Sequence, residues 1–269
     1  MISNDVAVRT GRPAGDAVPA RLRRAVVTGV LGALVTVSLA GCDTGVWKRL
    51  GMPKPATIEA KTSLSLWQGA WVAAWAVGIL VWGLIIWAIV VYRRRKGDPE
   101  LPRQIQYHLP IEILWTIVPV IMVLTLFYFT VRDENYLLRL HKDPYTTINV
   151  NGIQWSWQFN YLNAGPNASV TGTPGDIPTL VLPEGKRVRF IITSSDVIHS
   201  FWVPVFLFKM QAIPGRVNQF EVIPDRLGTF AGRCAELCGR DHSRMIFNVK
   251  VVTPEQFQQY LQQLNARAA

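Results

Sequence analysis

The stretch TSLSLWQGAWVAAWAVGILVWGLIIWAIVVY, from Thr62 to Tyr92, contains no Asp, Glu, Lys or Arg over 31 residues. A bilayer crossing takes about 20 apolar residues, so this run is long enough to span. Trp67, Trp71 and Trp75 fall on one helical stripe near its start, the pattern of an aromatic belt at a membrane–water interface. Arg93, Arg94, Arg95 and Lys96 follow immediately, and Gly97-Asp98-Pro99 with Pro102 breaks the helix. A second span is expected from Ile111 to Thr130. Pro110 suits its first turn, where a missing N–H costs nothing. Pro119 lies inside it and should kink it, which membrane helices tolerate when neighbours satisfy the freed carbonyl. A basic connection marks the cytoplasmic side. Two spans then put everything beyond residue 131 outside the cell membrane.

The rest of the composition agrees. Of 269 residues, 49% are apolar and only 17% charged, below the ~25% of soluble domains. A single soluble globular domain is excluded. So are disorder and a disulfide scaffold, since three cysteines cannot staple a chain of this length. The net charge of +10 sits in runs beside apolar segments rather than in one patch, which argues against nucleic acid as a partner. Arg21, Arg23 and Arg24 precede the 17 uncharged residues Ala25 to Gly41, short for a span and suited to a signal-peptide core. That run ends Leu39-Ala40-Gly41-Cys42, which resembles a bacterial lipoprotein box. The resemblance implies cleavage before Cys42 and a lipid on its sulfur; the alternative is an ordinary cysteine after an uncleaved helix.

From Thr146 the texture changes to short β-rich runs separated by Gly, Pro, Asn and Asp. Strands are expected at Thr146–Asn160, Thr179–Leu182, Arg187–Thr193, Ser200–Val203, Val217–Ile223, Gly228–Arg233 and Met245–Val252, a spacing that argues for an all-β sandwich or barrel. Asn163 to Pro178 reads as a polar loop, and Pro254 opens a short amphipathic helix ending near Asn265. The segments are therefore 1–41 signal peptide, 42–62 extracytoplasmic segment, 63–131 transmembrane hairpin with cytoplasmic loop 93–109, 132–252 extracytoplasmic β domain, and 253–269 carboxy-terminal helix.

Cys234, Cys238, His242 and Met245 fall within twelve residues, and His199 lies 35 residues upstream. A Cys234–Cys238 disulfide would leave the other three unexplained. Structural zinc takes Cys and His but rarely a thioether. Mononuclear blue copper uses two His, one Cys and a weak Met, leaving a cysteine surplus. Two thiolates, two imidazoles and a thioether suit a pair of copper ions best, with zinc and single copper as the open alternatives. Glu112, near the start of the second span, reads equally as a solvated interfacial carboxylate and as a functional group at membrane depth.

Cys234-Ala235-Glu236-Leu237-Cys238-Gly239-Arg240-Asp241-His242-Ser243-Arg244-Met245 resembles the dinuclear copper (CuA) loop of cytochrome c oxidase subunit II. Asp196-Val197-Ile198-His199-Ser200-Phe201-Trp202-Val203-Pro204, Ala212-Ile213-Pro214-Gly215-Arg216, Gln154-Trp155-Ser156-Trp157 and Glu112-Ile113-Leu114-Trp115-Thr116-Ile117-Val118-Pro119 resemble further signatures of that family. The resemblance implies a two-helix hairpin followed by a cupredoxin-like Greek-key β-barrel. It implies copper ligation by His199, Cys234, Cys238, His242 and Met245 side chains and by the Glu236 carbonyl. The Glu236 carboxylate would bind a magnesium or manganese ion shared with subunit I, a hard cation suited to oxygen. Trp155 would be where the electron enters, and Glu112 would lie at the mouth of a proton channel. Trp157, two residues on, is expected on the same strand face as Trp155 and reads better as core. The implied activity is electron transfer from a c-type cytochrome to haem in subunit I of a proton-pumping oxidase in a bacterial cytoplasmic membrane. Reduction of oxygen to water would occur in subunit I.

Two departures stand out. Many family members carry acids after the Trp-rich strand that attract a basic cytochrome; Gln158 to Gly175 contains none here. Steering of a basic donor would be weak, which implies a donor held by a tether or within a supercomplex. Gln211 also stands where an acid is frequent. Among rivals, a quinol-oxidase subunit would share the spans without needing the five ligands. A tethered copper carrier would not need Trp155, Glu112 or Glu236. A structural subunit with a defunct site is disfavoured by the intact ligand set.

Overall fold

The computed structural model describes residues 44–101, 104–165 and 168–268, together with Arg21, Ala25, 28–30 and Gly32. Cys42 and nearly all of the 1–41 segment lie outside the described residues. The chain forms two compact units, Met1–Lys48 and Arg49–Ala269. The first includes a short helix, Thr44–Lys48; the second holds the hairpin and the β domain.

Helix α1 spans Ile58–Val91 and α2 spans Leu109–Leu137. Both are long and apolar enough to cross a membrane. Helix α1 starts four residues before the apolar run. The Thr57 hydroxyl accepts the Ala60 N–H at 3.1 Å and caps the first turn, and Glu59 and Ala60 are buried there. With 34 residues, α1 is about 51 Å long, so its first turns stand outside a hydrocarbon core of ~30 Å. Helix α2 continues through Pro119 and past the expected end at Thr130. Glu112 Oε1 accepts the His108 N–H at 2.7 Å and satisfies an orphan donor before the first turn.

The chain beside each helix meets the β domain around Glu221 and Ile223. The Ala56 N–H donates to the Val205 carbonyl (2.9 Å) and the Ile58 N–H to the Ile223 carbonyl (3.0 Å). Ala56 and Thr57 are fully buried, so this segment is part of the β domain's packing. Just beyond α2, the His141 N–H donates to the Glu221 carboxylate at 3.2 Å. Glu221 is buried and also accepts from Arg189 Nη2 (2.7 Å) and His141 Nδ1 (2.8 Å), while Arg187 bridges it to Glu59 at 3.6 and 3.7 Å. Burial works to raise the Glu221 carboxyl, but the hydrogen bonds from Arg189 and His141 outweigh it and hold the group below its ordinary value.

The β domain contains β1 (Thr146–Ile153), β2 (Ser156–Tyr161), β3 (Ser169–Thr171), β4 (Thr179–Pro183), β5 (Val188–Ser194), β6 (His199–Val203), β7 (Phe208–Ala212), β8 (Asn218–Val222), β9 (Gly228–Cys234) and β10 (Ile246–Val252). They form two five-stranded sheets, ordered β3-β2-β1-β5-β8 and β4-β10-β9-β6-β7. The domain is thus a cupredoxin-like sandwich of two faced sheets. The buried face of β1 alternates strictly with its partly exposed face, as a strand with one side in a core should. Trp157, Phe159, Phe190, Phe201 and Phe247 fill the space between the sheets. Phe201 and Phe247 stack at 4.9 Å. Amphipathic α3 (Pro254–Ala268) buries Phe257, Leu261 and Leu264 against this core.

Three expectations need correction. Thr146–Asn160 is not one strand: β1 and β2 form an antiparallel hairpin, with Gly152 opposite Trp157 and Ile153 opposite Ser156. Trp155 is therefore in the turn and does not share a strand face with Trp157, which is fully buried. Strand β3 lies inside the segment read as a loop. Strand β7 was not expected at all.

Candidate metal centre

The five side chains singled out in the sequence converge at one end of the sandwich. Strand β9 ends on Cys234 and β10 begins at Ile246, so Cys238, His242 and Met245 ride the loop between them. The Cys234 N–H donates to the Met245 carbonyl (3.0 Å) and closes the loop's neck. The Ala235 N–H donates to the Ser200 carbonyl (3.0 Å) and ties the loop to β6. His199 is the first residue of β6, whose Phe201 pairs with Cys234 across the sheet. This pairing brings residues 35 apart in sequence to one point.

Cys234 Sγ and Cys238 Sγ are 3.8 Å apart; a disulfide needs about 2.05 Å, and both cysteines are free. His199 Nδ1 is 3.9 Å from Cys234 Sγ. His242 Nδ1 is 3.6 Å from Cys238 Sγ, and Met245 Sδ is 3.7 Å from it. The Glu236 carbonyl lies 3.2 Å from Cys234 Sγ. The ligand atoms of His199, Cys234 and Cys238 all fall within 4.8 Å of one another. His199 and Met245 are fully buried and the cysteines nearly so, while His242 is partly exposed beside an open cavity of about 620 Å³.

Electrostatics follow from this crowding. Burial works to raise the Cys234 thiol, but His199, the Glu236 and Ser200 backbone and His242 bring it down to about 6. Burial and the neighbouring Cys234 thiolate push Cys238 up to about 12. Both sulfurs can be thiolates together near neutral pH only with a cation to share their charge. Burial opposes a charged His199, yet its contacts with Cys234 and Asp196 hold it above its ordinary value.

Sequence reasoning missed three supporting residues. Asp196 Oδ1 is 2.7 Å from His199 Nε2, which fixes the ring and leaves Nδ1 toward the sulfurs, as carboxylates do behind metal-binding histidines. Its Oδ2 accepts the Gln154 N–H at 2.6 Å. Gln154 Nε2 (2.8 Å) and Trp155 Nε1 (3.2 Å) both donate to the Cys238 carbonyl, so the half-buried indole touches the backbone of a ligand directly. Gly152 makes room for the imidazole: a Cβ there would lie 2.7 Å from His199 Cδ2. The Asp-x-x-His spacing was the one available signal.

The other residues lie apart from the cluster or at its edge. The Glu236 carboxylate accepts from Gln211 Nε2 at 3.2 Å; an acid at 211 would put a second carboxylate there. Glu112 sits 25 residues before the sandwich end of α2, about 38 Å along the helix. Cys42 lies outside the described residues.

The donor set discriminates among metals. A buried thioether aimed at the sulfurs is a poor zinc ligand, and two cysteines facing one centre exceed a single blue copper site. Two soft thiolates, two imidazoles, a thioether and a carbonyl fit a CuA-type copper pair.

A membrane hairpin carrying a cupredoxin-like sandwich with such a cluster defines a membrane-bound, copper-type electron-transfer subunit. The family pattern "Cytochrome C oxidase subunit II, transmembrane domain" matches residues 45–132, and "Cytochrome C oxidase subunit II, periplasmic domain" matches residues 176–252. A probable cytochrome c oxidase subunit 2 of Streptomyces avermitilis is 50% identical, covering 90% of this chain and 88% of the relative. The cytochrome c oxidase subunit 2 of Mycobacterium tuberculosis is 37% identical, over 93% and 84%. The periplasmic domain of subunit II from Bradyrhizobium japonicum is 31% identical, with a TM-score of 0.45 over 48% of this chain and 100% of that one. The chain belongs to the cytochrome c oxidase subunit II family: it is a two-span membrane subunit of a terminal oxidase with a periplasmic cupredoxin-like domain.

Proposed function

We propose that the chain takes electrons from a c-type cytochrome at a dinuclear copper centre and passes them to haem in subunit I, where oxygen is reduced to water and protons are pumped. The observation that carries this reading is the meeting of two imidazole Nδ1 atoms, two thiol sulfurs and one thioether from the start of β6 and from the end of β9 with the loop after it. His199, Cys234, Cys238, His242 and Met245, with the Glu236 carbonyl, would hold the metals. A copper pair held by these residues would take up and release one electron at a time.

The protein's part is to keep that geometry fixed. Asp196 holds the His199 ring, the sheet pairing of β6 with β9 fixes its distance to Cys234, and burial keeps water from His199 and Met245. Trp155, partly exposed and hydrogen-bonded to the Cys238 carbonyl, would admit the electron. The Glu236 carboxylate, with Gln211 beside it, would take a magnesium or manganese ion shared with subunit I. Glu112 would stand at the mouth of a proton channel, besides capping α2. Cys42 would carry the lipid anchor, in a bacterial cytoplasmic membrane. The donor would be tethered or held in a supercomplex, because residues 158–175 offer no acids to attract it.

Trp155→Phe tests the electron's route. The phenyl ring keeps most of the packing but cannot donate to Cys238. Reduction of the oxidase by reduced cytochrome c should slow at least several-fold at unchanged copper content. Unchanged kinetics, or loss of copper, would overturn the role given to Trp155.

A further inference from the structure

The charged group against the Trp155 ring is a guanidinium, the sign that repels a lysine-rich donor at contact. Arg240 lies over the Trp155 ring, 5.5 Å from its centroid, and its side chain is 83% exposed. Arg244 is 61% exposed and reaches the Pro174 carbonyl of the neighbouring loop at 3.4 Å. Three nearby carboxylates have partners, while Asp176, in the loop that Arg244 reaches, is exposed. Asp241 is partly buried and faces both guanidiniums, at 3.6 and 3.7 Å. Asp196 is held by His199 and by the Gln154 and Val197 N–H groups. Glu236 accepts from Gln211. In the same ligand loop Leu237, between Glu236 and Cys238, is 80% exposed.

The β1–β2 turn presents a half-buried indole, and the ligand loop an exposed leucine and two guanidiniums. An apolar and aromatic centre with arginines beside it is the composition of a docking patch. Exposed guanidiniums bind carboxylates with directed, paired hydrogen bonds and repel ammonium groups. We propose that this rim docks a c-type cytochrome whose surface around the haem edge is acidic rather than lysine-rich. The inference rests on reading Trp155 as the electron's point of arrival and adds the chemistry of the donor. With Asp241 offsetting one of the two arginines, the patch acts at contact range more than by long-range steering, which suits a tethered donor.

The test uses the complete oxidase and two reduced soluble c-type cytochromes, one lysine-rich and one with a net negative charge. Kd and kcat/KM are measured at low and high ionic strength. The acidic cytochrome should bind more tightly and react faster at low salt and lose that advantage as salt screens the patch; the lysine-rich one should speed up with salt. In the R240E/R244E variant, compared at matched copper content, kcat/KM for the acidic cytochrome should fall about tenfold at low salt and the preference should reverse. The milder R240Q/R244Q pair should abolish the preference. A wild-type preference for the lysine-rich cytochrome at low salt, or a preference untouched by both variants, would overturn the proposal. If Trp155→Phe slows neither cytochrome while the charge reversal still switches preference, the docking surface stands and the electron's route through Trp155 falls.

Discussion

Gly152→Ala should cost the protein a copper ligand. Gly152 is on β1, paired with Trp157. A Cβ there would lie 2.7 Å from His199 Cδ2, 3.0 Å from Cγ and 3.2 Å from Cβ. Carbon atoms in contact prefer about 3.5–4.0 Å, so the imidazole must withdraw by about 1 Å. Its retreat is restricted by Asp196 at 2.7 Å on Nε2 and by the Trp157 ring, 6.1 Å between centroids. Metal–ligand distances tolerate only about ±0.2 Å. Overpacking of this kind costs about 1–3 kcal/mol, more than the ~0.4–1 kcal/mol an alanine gains by restricting the unfolded chain. The folded chain should therefore persist with its His199 displaced. Copper per chain, measured by elemental analysis after loading at limiting copper, should fall below the wild-type value, with a changed visible spectrum. Full loading with an unchanged spectrum would refute the reasoning, since β1 would then have yielded instead of the ring.

Other perturbations probe different links. Gly232→Ala would put a Cβ 2.2 Å from the Phe247 ring, so denaturant unfolding should show a loss of at least about 1–3 kcal/mol, partly recovered by adding Phe247→Leu. Met245→Leu nearly conserves volume at a fully buried position; stability should change by less than about 1.5 kcal/mol, while the visible spectrum of the copper-loaded chain shifts. Glu221→Gln leaves the Arg189 and His141 donors facing a neutral amide, and should cost toward the lower end of the about 3–5 kcal/mol of a broken buried pair, because Arg189 and His141 are partly solvated. The folded Glu221 pKa lies below its ordinary value of 4.5, so its stabilisation is complete above that value and lost as pH falls through the depressed one. Glu221→Gln should accordingly weaken the acid-side loss of stability seen in urea titrations across pH; an identical acid limb would contradict this.

Much of the molecule was legible because its signals are periodic or chemically rare. Charge-free runs of 31 and 19 residues, Thr62–Tyr92 and Ile113–Val131, meet the about 17–25 that a bilayer crossing takes and could hardly be anything but spans. Soft ligands at Cys234, Cys238, His242 and Met245 have few alternative uses together. The strand boundaries failed where local signals conflict with tertiary demand. Asn151-Gly152 is a strong hairpin-turn pair, yet the chain turns two residues later, at Gln154 and Trp155, and Gly152 serves instead as clearance for His199. Strand β7, Phe208–Ala212, is an edge strand with alternate residues exposed, so it lacks the apolar density that marked its neighbours. The burial of Ala56 and Thr57 was illegible for another reason: docking of a connecting segment onto β-strand ends is a long-range contact that no window of sequence contains.

Electron uptake by this chain requires one shared pair of metals. The most direct test is the copper-to-protein ratio together with the electron-resonance spectrum of the purified, copper-loaded protein. Two coppers per chain and a seven-line mixed-valence hyperfine pattern are predicted, since one electron spread over two equivalent copper nuclei must couple to both. One copper per chain with a four-line pattern would contradict the account.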